Sequence, residues 1–446
     1  MGNVIHSTSG PKIPPPDWTI GRTWYQVHAL RALGCPDHNS DPLAPEPAAH
    51  RLRDLLPWLD HVAALGAGGL LLTPIFASTT HGYDIVDPFR IDQRLGNEQD
   101  LDDLVAACHE RDLRILLDGV FNHASRQFPP FADVLEHGRD SDSAHWFRLD
   151  FDGEGPDGFA YDTFEGHGHL VALNHDADTV ADWAVDVACH WLARGIDGWR
   201  LDAAYAVPTT FWSEFSARVR ERFPTAYLLG EVIHDDYPEF VTQAALHSVT
   251  QYELHKAIWS ALNDRNLFEL SSALERHATF CHTFVPHTFV GNHDVTRVLT
   301  RLDDPLQLGH ALAVLFSVPG SPCVYYGDEL GLRGRKEERE GGDDAVRPPL
   351  PTSPQPQDVD QASILDLHRH LTHLRRARSW LDTATLEIVD VANAHLRYRV
   401  SRGDRAIIVV LNVGPEPIAV DGHAIAGHGV GTNPATVAPN SWALLE

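Results

Sequence analysis

Cysteine is scarce in this chain, and the few cysteines show no pattern that binds metal. The 446-residue sequence holds five of them, widely separated and odd in number, with no Cys-x-x-Cys pair. Zinc ligation and disulfide scaffolds both need cysteines that recur at defined spacings or in pairs. The cysteine pattern therefore disfavours zinc-finger and disulfide-rich classes of protein.

Positive charge and long apolar runs are also in short supply. The chain carries 62 acidic against 35 basic residues, a formal net charge of −27. Nucleic acid and anionic membranes both require a basic face, so neither is expected as a partner. No apolar run reaches the ~18 residues of a membrane helix, and the first 21 residues lack the apolar core of a signal peptide. These features predict a cytoplasmic protein.

What the chain does contain is a regular alternation of short apolar runs and amphipathic stretches. Eight such runs lie at 23–30, 68–76, 113–121, 195–203, 225–233, 248–255, 287–294 and 321–330. Between two of them, at 179–194, Val180, Trp183, Val187 and Trp191 recur at helical spacing. Strands that alternate with helices predict an α/β fold with a parallel sheet, and eight units predict a closed (β/α)8 TIM barrel.

Three segments depart from this alternation. Residues 124–175, rich in glycine, aspartate and aromatic residues, are predicted to form an inserted subdomain after strand 3, and the charged, proline-rich stretch 333–360 a loop over the same face. Short β-like runs at 381–446 predict a C-terminal antiparallel β-sandwich domain. The predicted organisation is an N-terminal arm (1–21), a catalytic barrel (22–123 and 176–380), the inserted subdomain and the C-terminal domain.

Polar side chains follow several predicted strands at the edge where barrel enzymes keep their sites. They are Asp118, Asn122 and His123 after strand 3, Arg200 and Asp202 at strand 4, Glu231 after strand 5, His293 and Asp294 after strand 7, and His81, Tyr83 and Asp84 in the loop after strand 2. Three carboxylates with histidines fit two chemistries. One is a metal site with Asp and His ligands, and the other is glycoside hydrolysis by a pair of carboxyl groups.

Arg200 favours the sugar chemistry. Residues i and i+2 of a strand share a face, so the guanidinium of Arg200 and the carboxyl of Asp202 point the same way. Such a guanidinium would repel a divalent cation, and it is expected to hold the Asp202 carboxylate ionised. Glycoside hydrolysis needs one ionised carboxylate as nucleophile and one carboxyl of raised pKa that protonates the leaving oxygen.

Five segments then carry a specific resemblance. "DGVFNH" (118–123), "ALNHDA" (172–177), "GWRLDAA" (198–204), "GEV" (230–232) and "FVGNHD" (289–294) follow one another in the chain. They resemble the motifs of the α-amylase family of glycoside hydrolases, and the resemblance extends from residue 22 to the C-terminal end. The stretch from "LNHDA" to "GWRLDAA" is most similar to the branch of neopullulanase, cyclomaltodextrinase and maltogenic amylase.

The resemblance implies a role for each matching residue. Asp202 matches the nucleophile, Glu231 the general acid/base, and Asp294 the carboxylate that grips ring hydroxyls and helps distort the sugar. Arg200 matches the residue that orients the nucleophile. The other matches are sugar contacts, namely His81, His123, His293, Tyr83 as a stacking platform, and Asp84 with Arg297 as a pair that closes the non-reducing end in some members.

The chain also departs from this branch. Only residues 1–21 precede the barrel, where the branch commonly carries an N-terminal domain, and the acid/base motif reads Glu231-Val232-Ile233-His234 instead of Glu-x-Trp-His. The Asn-Glu that tends to follow the nucleophile is replaced by Ala204-Tyr205-Ala206, and the Lys-His of the shared calcium site is absent. No metal and no cofactor are therefore expected, and the oxygen-rich stretch 35–42 is expected to be a solvated turn.

The predicted function is retaining hydrolysis of α-1,4 bonds, with α-1,6 bonds as a further target, in short or cyclic malto-oligosaccharides. The partner is then a small α-gluco-oligosaccharide. This mechanism requires the carboxyls of Asp202 and Glu231 to lie roughly 5–5.5 Å apart. The alternatives are an α-glucan transglycosylase, an exo-acting α-glucosidase, and a non-catalytic carbohydrate-binding protein on the same scaffold. The oligomeric state stays open, with a dimer among the alternatives.

Overall fold

Eight short parallel strands close into a barrel in the computed structural model, which describes residues 13–47, 49–339, 341–432 and 435–446. They are β1 (Trp24–Val27), β2 (Gly69–Leu72), β3 (Arg114–Gly119), β4 (Gly198–Leu201), β5 (Tyr227–Gly230), β6 (Ser248–Val249), β7 (His287–Phe289) and β8 (Ser321–Tyr325). Hydrogen bonds join them in the order β6-β5-β4-β3-β2-β1-β8-β7, and a parallel bridge between Thr250 and His287 joins β6 to β7. The predicted (β/α)8 barrel is therefore confirmed.

Helices connect the strands on the outside of the barrel. The described residues form α1 (Ala29–Ala32), α2 (Leu56–Leu65), α3 (Glu98–Glu110), α4 (Pro129–His137), α5 (Asp178–Ala193), α6 (Thr209–Arg222), α7 (Tyr237–Ala244), α8 (Tyr252–Asn263), α9 (Phe268–Phe280), α10 (Val298–Arg301), α11 (Leu308–Ser317) and α12 (Val359–Arg376). In α5, Val187 and Trp191 are buried against the barrel while Asp182 and Asp186 are exposed, as the helical spacing predicts. None of the described helices is long and apolar enough to cross a membrane.

The inside of the barrel is a packed core and not a pore. Its buried cluster consists of Trp24, Leu71, Leu116, Tyr227, Leu229, Phe289 and Cys323. Trp18, in the predicted arm, covers the N-terminal end, where its indole packs edge-on against Trp24 and donates a hydrogen bond to the carbonyl of Thr225. Tyr252, just after β6, packs on the same cluster from the opposite end. Residues 1–12 of the predicted arm lie outside the described residues.

The inserted segment after β3 has its own small framework. His123–Ser125 pairs with Leu170–Ala172, and Leu149–Asp150 pairs with Ala160–Tyr161, both antiparallel. Phe131 of α4 is fully buried between these ribbons, among the aromatic residues that the sequence places there. The segment rises from the C-terminal ends of the barrel strands, which is the position predicted for it.

The tail forms an antiparallel β structure that docks on the barrel. Its strands are β9 (Thr385–Val391), β10 (His395–Arg402), β11 (Arg405–Asn412), β12 (Ile418–Ala419), β13 (Ala424–Thr432) and β14 (Ala435–Leu445). At the contact with α11, a Cβ on Gly309 would lie 2.3 Å from the indole nitrogen of Trp442, so only glycine fits there. Tyr398 and Ser317 share a buried hydrogen bond of 2.6 Å across the same contact. The predicted antiparallel C-terminal domain is confirmed.

Candidate active site

The register of the barrel places the charged residues of three strands side by side. Asp118 of β3 lies directly opposite Arg200 of β4. The backbone N–H groups of Asp202 and Glu231 extend the same ladder, with hydrogen bonds of 3.0 Å to Gly119 and 2.9 Å to Leu201. Both carboxyl groups are therefore fixed at the C-terminal rim of the barrel, one residue beyond the ends of adjacent strands.

Arg200 joins three carboxylates. Its Nη1 lies 2.5 Å from Asp118 and 3.3 Å from Asp202, and its Nη2 lies 2.7 Å from Glu231. The residue is almost fully buried, and a charge in such a place must be paired to be tolerated. This explains why a strand inside a barrel carries a guanidinium, since every neighbouring charge is of the opposite sign.

The surroundings of Asp202 alter its ionisation. Burial and the negative charge of Glu231 raise the pKa of Asp202 well above its usual value, and the opposing effect of Arg200 is outweighed. Arg200 thus favours the ionised form of Asp202, as predicted, but it does not offset burial and the charge of Glu231. Burial is the largest cause, and Arg200 also lies closer to Asp118 and Glu231 than to Asp202. The charge of Glu231 acts in this way because two neighbouring buried carboxylates repel each other.

Asp294 is held as a carboxylate on the opposite wall. Its Oδ1 accepts a 2.8 Å hydrogen bond from Arg347, and its Oδ2 lies 3.0 Å from Nε2 of His293. Burial alone would raise the pKa of Asp294, but His293 and Arg347 outweigh it and hold that pKa well below its usual range. Asp294 can therefore accept hydrogen bonds from sugar hydroxyls without becoming protonated.

His293 is locked by its neighbours. The amide of Gln26 donates to Nδ1 at 3.2 Å, so Nε2 carries the proton and faces Asp294 and the hydroxyl oxygen of Tyr83. The Tyr83 hydroxyl in turn donates to Asp118 at 3.1 Å. These bonds fix the plane of the Tyr83 ring at the floor of the site.

His123 is fixed in the same manner. Its Nδ1 accepts from the amide of Asn122 at 3.0 Å, and its Nε2 donates to the carbonyl of Tyr83 at 3.1 Å. Burial lowers the pKa of His123 to about 3, so the ring is neutral. Phe164 from the inserted segment stacks on it with ring centres 4.7 Å apart. The insertion therefore forms one wall of the site.

These side chains enclose a cavity of about 300 Å³. Six of the predicted site residues line it: His81, Tyr83, His123, Asp202, Glu231 and Asp294. Arg200 and His293 lie buried directly beneath them. The structure thus brings together eight of the ten residues that the resemblance pointed to.

The other two, Asp84 and Arg297, do not pair. Arg297 is fully buried and donates to Asp328 at 2.7 Å and to the carbonyl of Tyr326 at 2.9 Å. Asp84 instead accepts a 2.7 Å hydrogen bond from Thr80 within its own loop. The prediction that Asp84 and Arg297 close the non-reducing end is therefore wrong, because the fold turns Arg297 away from the cavity into the interior.

Arg347 occupies the position that was expected of Arg297. It lines the cavity, contacts Asp294, and forms a 2.9 Å ion pair with Asp343. Sequence reasoning missed both residues, because 333–360 was interpreted only as a loop. The i, i+4 spacing of Asp343 and Arg347 beside the site was the signal available in the sequence.

A second cavity of about 690 Å³ adjoins the first. Ile233, Asp294 and Lys336 line both, and the second is otherwise lined by residues from α8 and from the segments after β5 and β7. Ile233, which stands where the branch usually has tryptophan, is 41% exposed between the two. A tryptophan ring at this position would occupy space that the smaller isoleucine leaves open.

The side chains here do not suit a metal ion. In the ranges that the structure describes, no group of three or more His, Cys, Asp or Glu residues could hold one. Asn122, the residue nearest to the family's calcium position, uses its amide on His123. In the stretch 35–42, Asn39 bonds Asp92 and Gln93, which leaves its oxygen engaged within the protein.

Chelation should therefore have no effect on turnover. We expect EDTA to leave both kcat/KM and the melting temperature unchanged, because buried ion pairs and hydrogen bonds hold the site together. The measurement is a rate assay and a thermal melt after dialysis against EDTA. A loss of rate that calcium restores would contradict this expectation.

Comparison with known families agrees with this geometry. A model described as "Alpha amylase, catalytic domain" matches residues 52–351. The chain belongs to the α-amylase family of glycoside hydrolases. The predicted family resemblance and the prediction of an enzyme are thereby confirmed.

Its relatives within the family lie in the predicted branch. The chain is 32% identical over 424 residues to a cyclomaltodextrinase of Bacillus sp, which covers 89% of this chain and 74% of the relative. It is 31% identical over 343 residues to an intracellular maltogenic amylase of Bacillus subtilis (strain 168). This match covers 72% of this chain and 57% of the relative. The solved cyclic α-maltosyl-(1→6)-maltose hydrolase from Arthrobacter globiformis, in its ligand-free form, has a TM-score of 0.81 at 29% identity, covering 97% of this chain and 99% of that chain.

Proposed function

We propose that this chain is a retaining hydrolase of α-1,4 and α-1,6 glucosidic bonds in short or cyclic malto-oligosaccharides. The observation that carries the proposal is the contact of Arg200 with both Asp202 and Glu231, opposite the ionised Asp294 and inside one cavity. The names of the relatives, a cyclomaltodextrinase, a maltogenic amylase and a hydrolase of a cyclic maltosyl-maltose, point to the same substrate class.

The chemistry proceeds in two steps. Asp202 attacks the anomeric carbon while the bond to the leaving oxygen breaks, and Glu231 donates its proton to that oxygen. Glu231 then takes a proton from water, the water oxygen attacks the anomeric carbon, and the bond to Asp202 breaks. This sequence of steps requires Asp202 to be ionised and Glu231 to carry the proton when the first step begins.

The surrounding residues hold the sugar for this reaction. Tyr83 supplies a flat ring at the floor, the neutral ring of His123 lines the wall, and His293 holds Tyr83 and Asp294 in place from beneath. Asp294 accepts from ring hydroxyls, and Arg347 keeps it ionised and oriented. Groups held in this way need little reorganisation when charge develops on the sugar ring.

The shape of the site favours compact substrates. The smaller cavity holds the sugar at the cleavage point, and Asp343 and Arg347 form a rigid charge-assisted wall beside it. The larger cavity begins at Ile233, on the side of Glu231, and offers room for the leaving part of the substrate. Two connected chambers suit cyclic or branched oligosaccharides better than a long starch helix.

We therefore expect higher kcat/KM on maltotriose, panose or a small cyclic glucan than on soluble starch. Arg347→Ala should lower the ratio of kcat/KM on the compact substrate to kcat/KM on starch by about tenfold. The reason is that losing one charge-assisted contact typically changes an affinity by roughly that factor. Early products followed by NMR should have the α configuration. Equal efficiency on starch would refute the size argument, and products of β configuration would refute the retaining mechanism.

Transglycosylation is the second candidate. The chamber beyond Ile233 can hold an acceptor sugar, whose hydroxyl would attack the covalent intermediate in place of water. Product analysis at high substrate concentration separates the two, because transfer yields oligosaccharides longer than the substrate. An exo-acting α-glucosidase would instead release glucose alone.

Three further proposals concern the location of the protein, its domain boundaries and its assembly. We propose a cytoplasmic location, which the relative named an intracellular maltogenic amylase supports. We also propose the four-part division, with an arm at 1–21, a barrel of 22–123 and 176–380, the insertion 124–175 and the C-terminal domain 381–446. Assembly as a dimer is a prediction that light scattering would test.

A further inference from the structure

Tyr252, the first residue of α8, contacts the acid/base candidate. Its hydroxyl lies 3.0 Å from Oε1 of Glu231 and 2.9 Å from the amide nitrogen of Asn292. The ring packs edge-on against Phe289 at 4.9 Å, on top of the barrel core. The hydroxyl is therefore held where it is by packing as well as by hydrogen bonds.

Asp294, Asn292, Tyr252 and Glu231 form a series of hydrogen bonds. The direction of each bond follows from the first donor, which is a backbone N–H group. The backbone N–H of Asp294 donates to Oδ1 of Asn292 at 2.8 Å, which fixes the amide with its nitrogen toward Tyr252. That nitrogen can only donate, so it occupies a lone pair of the Tyr252 hydroxyl oxygen. The hydroxyl proton must then point to Glu231. The relay runs in one direction, from the backbone of Asp294 to the side chain of Glu231.

This relay makes the two oxygens of Glu231 unequal. Oε1 accepts the Tyr252 hydroxyl at 3.0 Å and lies 2.7 Å from Nη2 of Arg200 in an ion pair. Oε2 accepts one donor, the N–H of Ala203 at 3.0 Å, and Ala203 has a left-handed backbone with φ of 44°. An oxygen that accepts a hydroxyl proton and lies against a guanidinium is a poor place for a further proton. Oε2 is therefore the oxygen that can carry the proton to the leaving group.

We propose that Tyr252, oriented by Asn292, is a positioning residue that keeps Oε1 of Glu231 as an acceptor and so assigns the acid proton to Oε2. The inference rests on the proposed function, because it takes Glu231 as the acid. It adds a residue that neither the sequence motifs nor the family resemblance pointed to, and it joins the loop bearing Asp294 to the acid through defined hydrogen bonds.

The test compares two leaving groups in the variant Tyr252→Phe, which removes only the hydroxyl. Cleavage of maltotriose needs the acid, whereas α-glucosyl fluoride releases fluoride with little help from protonation. We expect kcat/KM on maltotriose to fall by about tenfold or more, and kcat/KM on the fluoride to stay within about threefold. The ratio of the two does not depend on how much of the variant is folded.

Two further variants sharpen the result. Asn292→Asp keeps the shape of the side chain but replaces the donating amide nitrogen with a carboxylate oxygen, which accepts from the Tyr252 hydroxyl. The hydroxyl proton should then turn away from Glu231, and kcat/KM on maltotriose should fall selectively as in Tyr252→Phe. Tyr398→Phe removes another buried tyrosine hydroxyl, at the contact with the C-terminal domain, and should leave the ratio unchanged. Equal losses on both substrates, or no loss on either, in Tyr252→Phe would overturn the proposal. A wild-type protein that cleaves neither substrate would instead overturn the proposed function.

Discussion

Replacing Asp202 by asparagine is expected to lower kcat by about 10⁴-fold or more, because no covalent intermediate can form on an amide. Sugar binding should persist, since Tyr83, His123 and Asp294 hold the sugar independently of Asp202. The melting temperature should not fall. Burial and the neighbouring carboxyl of Glu231 disfavour a charge on Asp202, and a neutral amide of the same shape avoids that cost.

The measurements are initial rates on maltotriose, calorimetric binding of maltotriose, and thermal unfolding. Asp186→Asn is a matched control, because Asp186 is exposed on α5 and forms a surface ion pair with Arg222. That control should keep full activity. A variant at position 202 that retains more than a few per cent of the wild-type rate would show that Asp202 is not the nucleophile.

Replacing Arg297 by alanine is expected to lower the free energy of unfolding by about 3–5 kcal/mol, because it breaks one side of a buried ion pair. The guanidinium is fully buried, bonds Asp328 and the carbonyl of Tyr326, and lies 4.5 Å from the ring centre of Tyr325. Its removal leaves Asp328 buried without a counter-charge. Burial already raises the pKa of Asp328 to about 6 with Arg297 in place.

The loss should also depend on pH, with a definite sign. A carboxyl whose folded pKa lies above its unfolded value of about 3.8 makes the folded state less stable as pH rises between the two values. In the wild type this loss of stability with rising pH ends above about pH 6, the folded pKa of Asp328. In Arg297→Ala the pKa of Asp328 rises further, so the loss continues to a higher pH. The deficit in stability should therefore be larger at pH 8 than at pH 5.

Denaturant unfolding at both pH values measures this deficit. The double variant Arg297→Ala with Asp328→Asn should be more stable than Arg297→Ala alone, because the unpaired charge is gone. A stable Arg297→Ala protein with altered preference among sugars would place Arg297 in the substrate site after all. The corresponding change at the cavity, Arg347→Ala, should show the opposite pattern, with altered preference and a smaller loss of stability.

The two arginines illustrate where sequence reasoning ended. Arg297 follows the segment "FVGNHD" and was assigned to the sugar by resemblance, whereas Arg347 lies in a charged loop with no strand to place it. Which guanidinium reaches Asp294 depends on how that loop folds over the barrel. Nothing local to either residue encodes this, because both are equally charged and equally long.

The ionisation of Asp202 shows the same limit in electrostatic terms. The strand period placed Arg200 and Asp202 on one face, and the structure confirms that contact at 3.3 Å. The period says nothing about Asp118 and Glu231, which come from other strands and lie closer to the guanidinium. A pKa sums over all neighbouring charges and over burial, so it could not be derived from one pair.

The sequence by itself determined the barrel, the insertion after β3, the antiparallel tail and the residues that gather at the site. These follow from local patterns, because apolar periodicity selects strand or helix and parallel strands bring their carboxyl ends to one rim. Only the tertiary structure decided the pairing of Arg297 with Asp328, the place of Arg347, the raised pKa of Asp202, and the relay through Tyr252. Each of these depends on distances between side chains from separate elements, which exist only once the chain has folded.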